Sequence, residues 1–264
     1  MRLLRKLFGQ APSRPAARNP EAPLAPEEPF YAIGDIHGCD RLLEQLLRQI
    51  REDAAPDIPR VVCVGDYVDR GEDSRAVLER LRRLQAEPDV ALTCLAGNHE
   101  DMLLHFLDRP EDGASWLRNG GLQTLASFGV GLPAGMSGGA LADIRDRLAA
   151  AMGPDLVAWL QGLPVHWQSG NVAVVHAAAD PDLPLGLQRR DVLLWGHPDF
   201  GGQPRADGAW VIHGHVICGQ VTRAGGCISI DTGAYATGCL SAVHVSAEGV
   251  RCLDTRAQPG RIPA

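Results

Sequence analysis

The chain has 264 residues, of which 45% are hydrophobic and 22% charged, and its formal net charge is −7 at pH 7. This length suffices for one large domain, and the acidic balance excludes a chain that binds nucleic acid through its overall charge. No run of about 18 apolar residues is present to form a transmembrane segment. The seven cysteines are scattered without a C-x-x-C pair, which predicts free thiols in a cytoplasmic protein.

The N-terminal segment is predicted to lie outside the folded domain. Residues 10–29 are rich in proline and alanine, which is typical of a flexible tail. We therefore expect a tail over residues 1–28 and one domain over residues 29–258. Residues 1–9 (MRLLRKLFG) mix basic and apolar side chains. Two interpretations stay open for them: a weak tether to a membrane surface or partner, and a disordered leader, since so short a segment forms only a marginal helix in water.

From residue 30 onward, a strand, a polar loop and a helix follow one another three times. The predicted strands are FYAI, RVVCV and VALTCLA, and the polar loops after them are GDIHG, GDYVDRG and GNHE. Amphipathic helices are predicted at CDRLLEQLLRQI, SRAVLERLRRL and DMLLHFL from the spacing of their apolar residues. This order predicts an α/β fold whose first strands are parallel. Ligands of such sheets bind at the C-terminal ends of the strands.

The second half of the chain begins with helices and then returns to strands. Residues 114–163 are predicted to form a helical insert, broken at Asn119-Gly120-Gly121, and we expect this insert to form part of a substrate groove. Strands are predicted at NVAVVHA, AWVIHGH and CISIDTGA, followed by a hairpin, LSAVHVSAEGVRCLD. No second domain with its own core is predicted.

Polar side chains that suit divalent metal ions follow five of these strands. Each residue alone has an ordinary interpretation as a turn residue or a core histidine. Oxygen and nitrogen ligands without thiolate suit Mn²⁺, Fe or Zn²⁺, and they are about the right number for two ions that hold a phosphoryl group between them. The candidates are Asp35, His37, Asp66, Asp69, Arg70, Asn98, His99, His176 and His215.

GDIHG, GDYVDRG and GNHE resemble the three signature motifs of the phosphoprotein phosphatase family of calcineurin-like metallophosphoesterases. VVHAAAD, HGHV, IDTGA and WLRNGG resemble its bacterial and phage branch, which includes the bacteriophage lambda serine/threonine protein phosphatase. The resemblance covers residues 30–245. It implies two packed mixed β-sheets flanked by helices, in a catalytic domain with a dinuclear metal centre at one edge.

The resemblance also implies a role for each candidate metal ligand. It assigns Asp35 and His37 to the first metal, Asp66 to a bridge between the metals, and Asn98 and His176 to the second metal. Two divalent ions follow, with Mn²⁺ favoured and Fe or Zn²⁺ as alternatives.

A later histidine is expected to complete the first metal site. His213 and His215 compete for this role. The family places an apolar residue and a glycine before the ligand, which selects His215 and leaves His213 in the core or behind the ligands.

The expected reaction is direct in-line attack on a phosphomonoester by a hydroxide that the two metals activate. His99 is the candidate general acid, because imidazole titrates near neutral pH, and the resemblance gives Asp69 the task of orienting it. Arg70 is expected to bind phosphate oxygens with its forked donors, and Asn98 can donate to the phosphate as well.

One position departs from the family pattern. The branch carries a second phosphate-binding arginine in an L-W-x-R motif, whereas this chain reads DVLLWGHPDF and has His197 there. Three interpretations stay open: His197 is a weaker substrate-binding donor, Arg189 or Arg190 reaches the site instead, or the site accepts a different ester.

Three functions are compatible with these motifs. The first is a serine/threonine protein phosphatase that acts on phosphoproteins or small phosphoesters. The second is a nucleotide hydrolase like the symmetrical bis(5'-nucleosyl)-tetraphosphatases. That group generally has a motif similar to GDLVARG where this chain has GDYVDRG. Asp69 favours the first over the second. The third is a non-catalytic metal-binding or scaffold protein.

Overall fold

The computed structural model describes residues 21–132, 139–256 and 260–261. Its strands form two sheets, one of six strands in the order β11-β10-β9-β1-β2-β3 and one of five in the order β4-β5-β6-β8-β7. In chain order the strands are β1 (Phe30–Ile33), β2 (Arg60–Cys63), β3 (Ala91–Cys94), β4 (His166–Ser169), β5 (Val172–Val175), β6 (Trp210–His213), β7 (Thr222–Ala224), β8 (Cys227–Ser229), β9 (Ser241–Ser246), β10 (Gly249–Asp254) and β11 (Gly260–Arg261).

Both sheets are mixed, as predicted. In the first sheet β1, β2 and β3 run parallel, which confirms the prediction for the first half of the chain, while β9 pairs antiparallel with β1. In the second sheet β5, β6 and β8 are parallel and the edge strands β4 and β7 are antiparallel to their neighbours.

The alternation of side chains along β1 shows how the two sheets pack. Phe30 and Ala32 join a buried cluster that includes Val174 and Ile212 of the second sheet. Ile33, on the opposite face, joins a cluster formed with the helices. Because neighbouring residues of a strand point to opposite faces, one face of the first sheet covers the second sheet and the other face carries the helices.

Nine α-helices are present in the described residues, and a π-helical turn (Leu117–Gly121) joins α4 to α5. The predicted helix SRAVLERLRRL coincides with α2, and Leu43, Leu46 and Leu47 of α1 are buried as their spacing requires. The helices are α1 (Asp40–Ala54), α2 (Ser74–Leu84), α3 (Asn98–Asp108), α4 (Ala114–Trp116), α5 (Leu122–Ser127), α6 (Ala140–Met152), α7 (Pro154–Gln161), α8 (Arg190–Trp195) and α9 (Ala234–Thr237).

The start of α3 differs from the prediction. GNHE was expected in a loop before the helix, but α3 begins at Asn98, so that Asn98 and His99 lie in its first turn. Glu100, the third helical residue, accepts a hydrogen bond from the backbone N–H of Gly97 (2.9 Å). Such capping satisfies a donor that the first turn leaves unpaired, and it allows the helix to start directly at the site.

The helical insert forms as expected and breaks at the predicted glycines. Gly120 has a φ of +113°, a conformation that favours glycine. The insert packs on α3 through the ring of Trp116, which stacks on Phe106 at 4.7 Å between ring centroids. Residues 133–138 of the glycine-rich stretch after α5 lie outside the described residues.

The last residues of the predicted tail are attached to the domain. The backbone N–H of Ala25 donates to Asn171 Oδ1 (2.7 Å), and that of Glu27 donates to Ser169 Oγ (2.9 Å). The folded part therefore begins before residue 29. The predicted tether, residues 1–9, lies outside the described residues. Within the described part of the chain, no helix is long and apolar enough to cross a membrane.

A half-buried ion pair connects the C-terminal hairpin to α1 and gives a first prediction. Asp53 accepts hydrogen bonds from Arg251 (3.0 and 2.7 Å) and from the Tyr31 hydroxyl (2.6 Å), and the bond from Arg251 lowers the pKa of Asp53. We expect Asp53→Asn to reduce the free energy of unfolding at pH 7 by about 1 kcal/mol. Urea unfolding of wild type and variant checks this value.

The pH dependence of that difference has a definite sign. A folded-state pKa below the unfolded value stabilises the protein above the unfolded pKa, and this contribution is lost as the pH falls through the folded pKa. The gap between wild type and Asp53→Asn should be constant near neutral pH and shrink below about pH 4. A gap that is the same at all pH values would show that the charge of Asp53 does not contribute.

Candidate active site

The C-terminal ends of strands from both sheets meet at one edge of the molecule. Asp35, Asp66 and Asn98 follow β1, β2 and β3 of the first sheet, and His176 and His215 follow β5 and β6 of the second. The two sets are in contact, since the backbone N–H of His215 donates to Asp35 Oδ2 (2.9 Å) and His176 Nε2 lies 2.8 Å from Asn98 Oδ1. The structure thus brings the predicted metal ligands together.

The backbone at this edge adopts an uncommon conformation. In the described residues, every non-glycine residue with a positive φ is a predicted site residue. Such conformations cost energy and persist where the surroundings enforce them, often at functional sites. The five residues are His37 (43°), Asp66 (52°), Asp69 (72°), Arg70 (68°) and His215 (66°).

Two glycines allow this crowded backbone to approach the carboxylates. A Cβ atom added at Gly97 would collide with Asp66 Oδ1, and one added at Gly214 would collide with Asp35 Oδ1. Any side chain at either position would therefore displace a predicted metal ligand.

The first group of ligand atoms is suited to a cation. The Val68 carbonyl accepts a hydrogen bond from His37 Nδ1 (2.8 Å), which leaves the lone pair of Nε2 facing the site. His37 Nε2 and Asp35 Oδ1 are both buried without a hydrogen-bond partner, and His37 Nε2 lies 3.4 Å from Asp66 Oδ2. Because buried polar atoms are nearly always paired, these two unpaired atoms fit a metal ion.

The second group shows the same arrangement. His176 Nδ1 faces the Val64 carbonyl at 3.2 Å, and its Nε2 faces Asn98 Oδ1 at 2.8 Å. A neutral imidazole can donate from only one nitrogen, so two acceptor atoms converge at Nε2 and Oδ1. His215 Nδ1 also lies 3.0 Å from Asn98 Oδ1. Converging lone pairs of this kind suit a cation.

The structure places the ring of His215 beside His176 and Asn98. His215 was expected to complete the first metal site. Its ring nitrogen forms a group with Asp66 and His176, while the other group contains His37, Asp66 and His99. The choice of His215 over His213 agrees with the structure, because His213 points away and its Nε2 lies 2.8 Å from Ser229 Oγ.

The pKa shifts agree with ligation by neutral imidazoles. Burial lowers the pKa of His37 to about 3 and that of His176 to about 4, so both rings keep a free lone pair at neutral pH. Burial, with Asp231 and Asp66 nearby, raises the pKa of Asp35 well above its usual range. A cation among these carboxylates would relieve the repulsion between them.

The predicted acid and its partner form a close pair. His99 Nδ1 lies 2.7 Å from Asp69 Oδ2, and both side chains are buried. Arg70 Nη2 lies 3.1 Å from His99 Nε2. Although burial opposes protonation of His99, the carboxylates of Asp66 and Asp69 outweigh it and raise the pKa of the imidazole. Asp69 belongs to neither group of metal-ligand atoms, as expected for a residue that orients His99.

Glu100 is a site residue that we did not predict, although it belongs to the GNHE motif. Its carboxylate accepts hydrogen bonds from three consecutive backbone N–H groups, of Asp66 (2.8 Å), Tyr67 (2.8 Å) and Val68 (3.2 Å), besides that of Gly97. Burial and the charge of Asp66 raise its pKa to about 7. Glu100 therefore fixes the loop that carries Asp66, and its motif position was the available signal.

Asp231 and Tyr235 also border the site without having been predicted. Asp231 is buried, interacts with Asp35 and accepts a hydrogen bond from the backbone N–H of Gly233 (2.8 Å). Arg70 lies over the ring of Tyr235, 5.0 Å from its centroid. Both residues belong to the IDTGAYATG stretch after β8, whose polar residues at a strand end were the available signal.

The proposed substitutes for the second phosphate-binding arginine pair with residues other than the predicted metal ligands. His197 Nε2 is 3.8 Å from Asp180 Oδ2. Arg189 pairs with Asp191, and Arg190 pairs with Asp101 on α3. The substrate-binding role of His197 therefore stays a prediction.

A cavity of about 690 Å³ opens beside Arg70. It is lined by Gly38 and Gly71 at the strand ends, by Tyr235, and by Arg41 and Arg48 of α1. It therefore offers space for a ligand beside Arg70.

A family model described as calcineurin-like phosphoesterase matches residues 28–218. Serine/threonine-protein phosphatase 1 of Salmonella typhimurium is 40% identical over 91 residues, which are 34% of this chain and 38% of that protein. Serine/threonine-protein phosphatase 2 of the same organism is 29% identical over 224 residues, or 80% of this chain and 90% of that protein.

A symmetrical bis(5'-nucleosyl)-tetraphosphatase of Methylococcus capsulatus is 35% identical over 152 residues, 58% of this chain and 44% of that protein. The match thus spans less than half of the length of this relative and of phosphatase 1. Among solved structures, a cold-active protein tyrosine phosphatase superimposes with a TM-score of 0.61 at 15% identity, covering 89% of this chain and 78% of that one. This similarity shows the shared fold.

Proposed function

We propose that this chain, which belongs to the calcineurin-like phosphoesterase family of phosphoester hydrolases, is a serine/threonine protein phosphatase. The observation that carries this proposal is the hydrogen-bonded pair of His99 and Asp69, 2.7 Å apart, with Arg70 beside it. Serine and threonine leave as alkoxides, which need a proton, and this pair is placed to supply one.

His99 would act as an imidazolium, with one proton on Nδ1 and the proton for the leaving group on Nε2. Because the Asp69 carboxylate accepts a hydrogen bond from Nδ1, the other ring nitrogen, Nε2, faces the site and can carry the proton for the leaving oxygen. Arg70 contacts Nε2 in the structure. We propose that Arg70 turns to the phosphate oxygens when substrate binds, because its planar fork matches their geometry. Nε2 is then free to protonate the leaving group.

We propose that two divalent ions bind among these side chains and leave His99 free as the acid. Asp35 and His37 would hold the first, Asn98, His176 and His215 the second, and Asp66 would contact both. Mn²⁺ suits this oxygen and nitrogen ligand set. Two bound ions would neutralise the phosphate charge and lower the pKa of a water molecule. Asn98 keeps an amide group that can donate to the phosphate.

A second candidate function has support from the relatives. The tetraphosphatase of Methylococcus capsulatus matches this chain at an identity between those of the two Salmonella phosphatases, and the cavity beside Arg70 could accept a nucleotide. Asp69 favours the phosphatase, because it orients the proposed general acid His99. Nucleoside phosphates are better leaving groups than the serine alkoxide and need less help from an acid.

A substrate comparison with the Mn²⁺-loaded full chain tests the proposal. We expect kcat/KM for a phosphoserine peptide to exceed that for diadenosine tetraphosphate by at least ~10-fold, since the site supplies an acid for the leaving oxygen. Metal removal with a chelator should abolish both activities, and Mn²⁺ should restore them. A preference for diadenosine tetraphosphate would establish the second candidate instead. Two bound ions without hydrolysis of any ester would indicate a non-catalytic metal-binding protein.

The cellular location and the partners of the enzyme are also proposed. All seven cysteines are free in the structure, which supports a cytoplasmic location. The proposed partners are phosphoproteins or small phosphoesters.

A further inference from the structure

Two side chains of the helical insert donate hydrogen bonds to the carboxylate of Asp69, the residue beside His99. Trp116 Nε1 donates to Asp69 Oδ2 (2.9 Å), and the Thr124 hydroxyl donates to Asp69 Oδ1 (2.6 Å). All three side chains are buried. The same Thr124 oxygen accepts a hydrogen bond from the backbone N–H of Asp69 (2.9 Å), so Thr124 contacts both the side chain and the backbone of this residue.

These donors are placed by the break in the insert. Trp116 ends α4, Thr124 lies in α5, and the π-helical turn between them contains Gly120. The Gly120 carbonyl accepts a hydrogen bond from the backbone N–H of Arg70 (3.3 Å). A Cβ atom at Gly120 would collide with that same nitrogen. The insert therefore holds both Asp69 and Arg70 from behind the site.

The number of hydrogen-bond donors around the Asp69 carboxylate determines how firmly it is held. A carboxylate can rotate about its terminal bond, and a single hydrogen bond to His99 would not fix it. Trp116 and Thr124 together hold both oxygens, so that Oδ2 keeps facing His99 Nδ1. Both donors also favour the ionised carboxylate, which can only accept a hydrogen bond and so keeps a proton on Nδ1.

We propose that Trp116 and Thr124 are positioning residues, which act through Asp69 to hold the His99 ring in place with its Nδ1 protonated, so that a second proton on Nε2 can pass to the leaving group. The proposal rests on the proposed function, in which His99 is the general acid. It assigns the insert a part in catalysis besides any part it has in forming the substrate groove.

Two substitutions remove these donors while retaining shape. Trp116→Phe deletes the indole N–H and keeps a ring against Phe106, and Thr124→Val deletes the hydroxyl at nearly constant volume. Thr124→Ser keeps the hydroxyl and is the matched rescue variant. Trp159→Phe is the matched control, since Trp159 lies in the same insert but donates to Gln85 Oε1 (2.6 Å), away from Asp69.

The test compares two leaving groups in the Mn²⁺-loaded full chain. A phosphoserine peptide needs a proton on its leaving oxygen, whereas p-nitrophenyl phosphate releases a stable phenolate. We expect Trp116→Phe and Thr124→Val each to lower kcat for the phosphopeptide on the order of 10-fold, with KM unchanged, and to lower kcat for p-nitrophenyl phosphate by less than ~3-fold. Thr124→Ser and Trp159→Phe should retain wild-type kcat for both substrates.

A second measurement is independent of the substrate. In the Zn²⁺-loaded chain, the proton on His99 Nδ1 should give a strongly downfield NMR signal, which Trp116→Phe and Thr124→Val should shift or broaden while Trp159→Phe leaves it unchanged. Equal losses of kcat on both substrates, or an unchanged signal in both variants, would overturn the inference. A wild-type chain that hydrolyses neither monoester would instead contradict the proposed function, and the NMR signal would then decide the inference alone.

Discussion

Asp66→Asn is expected to lose bound metal and to lower kcat by at least ~10³-fold, because each metal ion supplies several kcal/mol of charge stabilisation. Asp66 is the residue shared by both groups of ligand atoms. Its Oδ2 lies 3.4 Å from His37 Nε2, and its Oδ1 lies 3.4 Å from His176 Nε2. An asparagine keeps one oxygen and turns a hydrogen-bond donor toward one of the two ions, so one position or both should lose affinity.

Metal content after dialysis and kcat for a phosphoserine peptide measure this effect. Asp57→Asn is a matched control with the same change of charge, since Asp57 is exposed and lies outside the site. Thermal unfolding in the presence of Mn²⁺ shows whether the variant is folded. If Asp66→Asn retained two ions per chain, Asp66 would not be the bridging ligand.

Asp69→Asn is expected to retain both metal ions and still lower kcat about 10²–10³-fold, within the range that a general acid contributes. Asp69 contacts no predicted metal ligand, and its carboxylate holds His99 Nδ1 at 2.7 Å. An amide that kept its oxygen toward Trp116 or Thr124 would present its donors to Nδ1, which disfavours the doubly protonated imidazolium that the carboxylate stabilises. KM should change little, because the variant leaves Arg70, the proposed phosphate-binding residue, in place.

The comparison with His99→Asn shows whether the pair acts as one unit. We expect the single variants Asp69→Asn and His99→Asn to lose similar amounts of kcat, and the double variant to lose no more than His99→Asn alone, since residues that act together are not additive. Metal analysis of all three variants accompanies the kinetics. Loss of metal from Asp69→Asn equal to that from Asp66→Asn would show that the two aspartates share one role.

These two variants separate residues that the sequence places only three positions apart. Asp66 and Asp69 lie in one loop, and both have a left-handed backbone. The loop turns their carboxylates in different directions, Asp66 toward the predicted metal ligands and Asp69 toward the insert. The Glu100 carboxylate fixes the first part of the loop by accepting hydrogen bonds from the backbone N–H groups of Asp66 and Tyr67. The Thr124 hydroxyl fixes the second part by accepting one from the backbone N–H of Asp69.

The sequence alone determined most of the fold's first half and the candidate residues of the site. Apolar spacing predicted α1 and α2, the strand order predicted parallel pairing of β1, β2 and β3, and the polar groups at the strand ends identified the candidate ligands. These features depend on local periodicity and on a general rule about parallel sheets, so the sequence suffices for them. It also predicted the break at Gly120, because glycine favours the required backbone.

Only the tertiary structure decided which group of ligands includes His215, and which residues support the site. His215 and Asn98 are 117 residues apart, and Trp116 and Thr124 lie 47 and 55 residues from Asp69. Such contacts depend on how the second sheet and the insert pack against the first sheet, and no local pattern records that packing. In the sequence, a tryptophan or threonine in a helix is simply a candidate core residue. The hydrogen-bond donors of Trp116 and Thr124 acquire their proposed role only because tertiary packing places the buried Asp69 carboxylate against them.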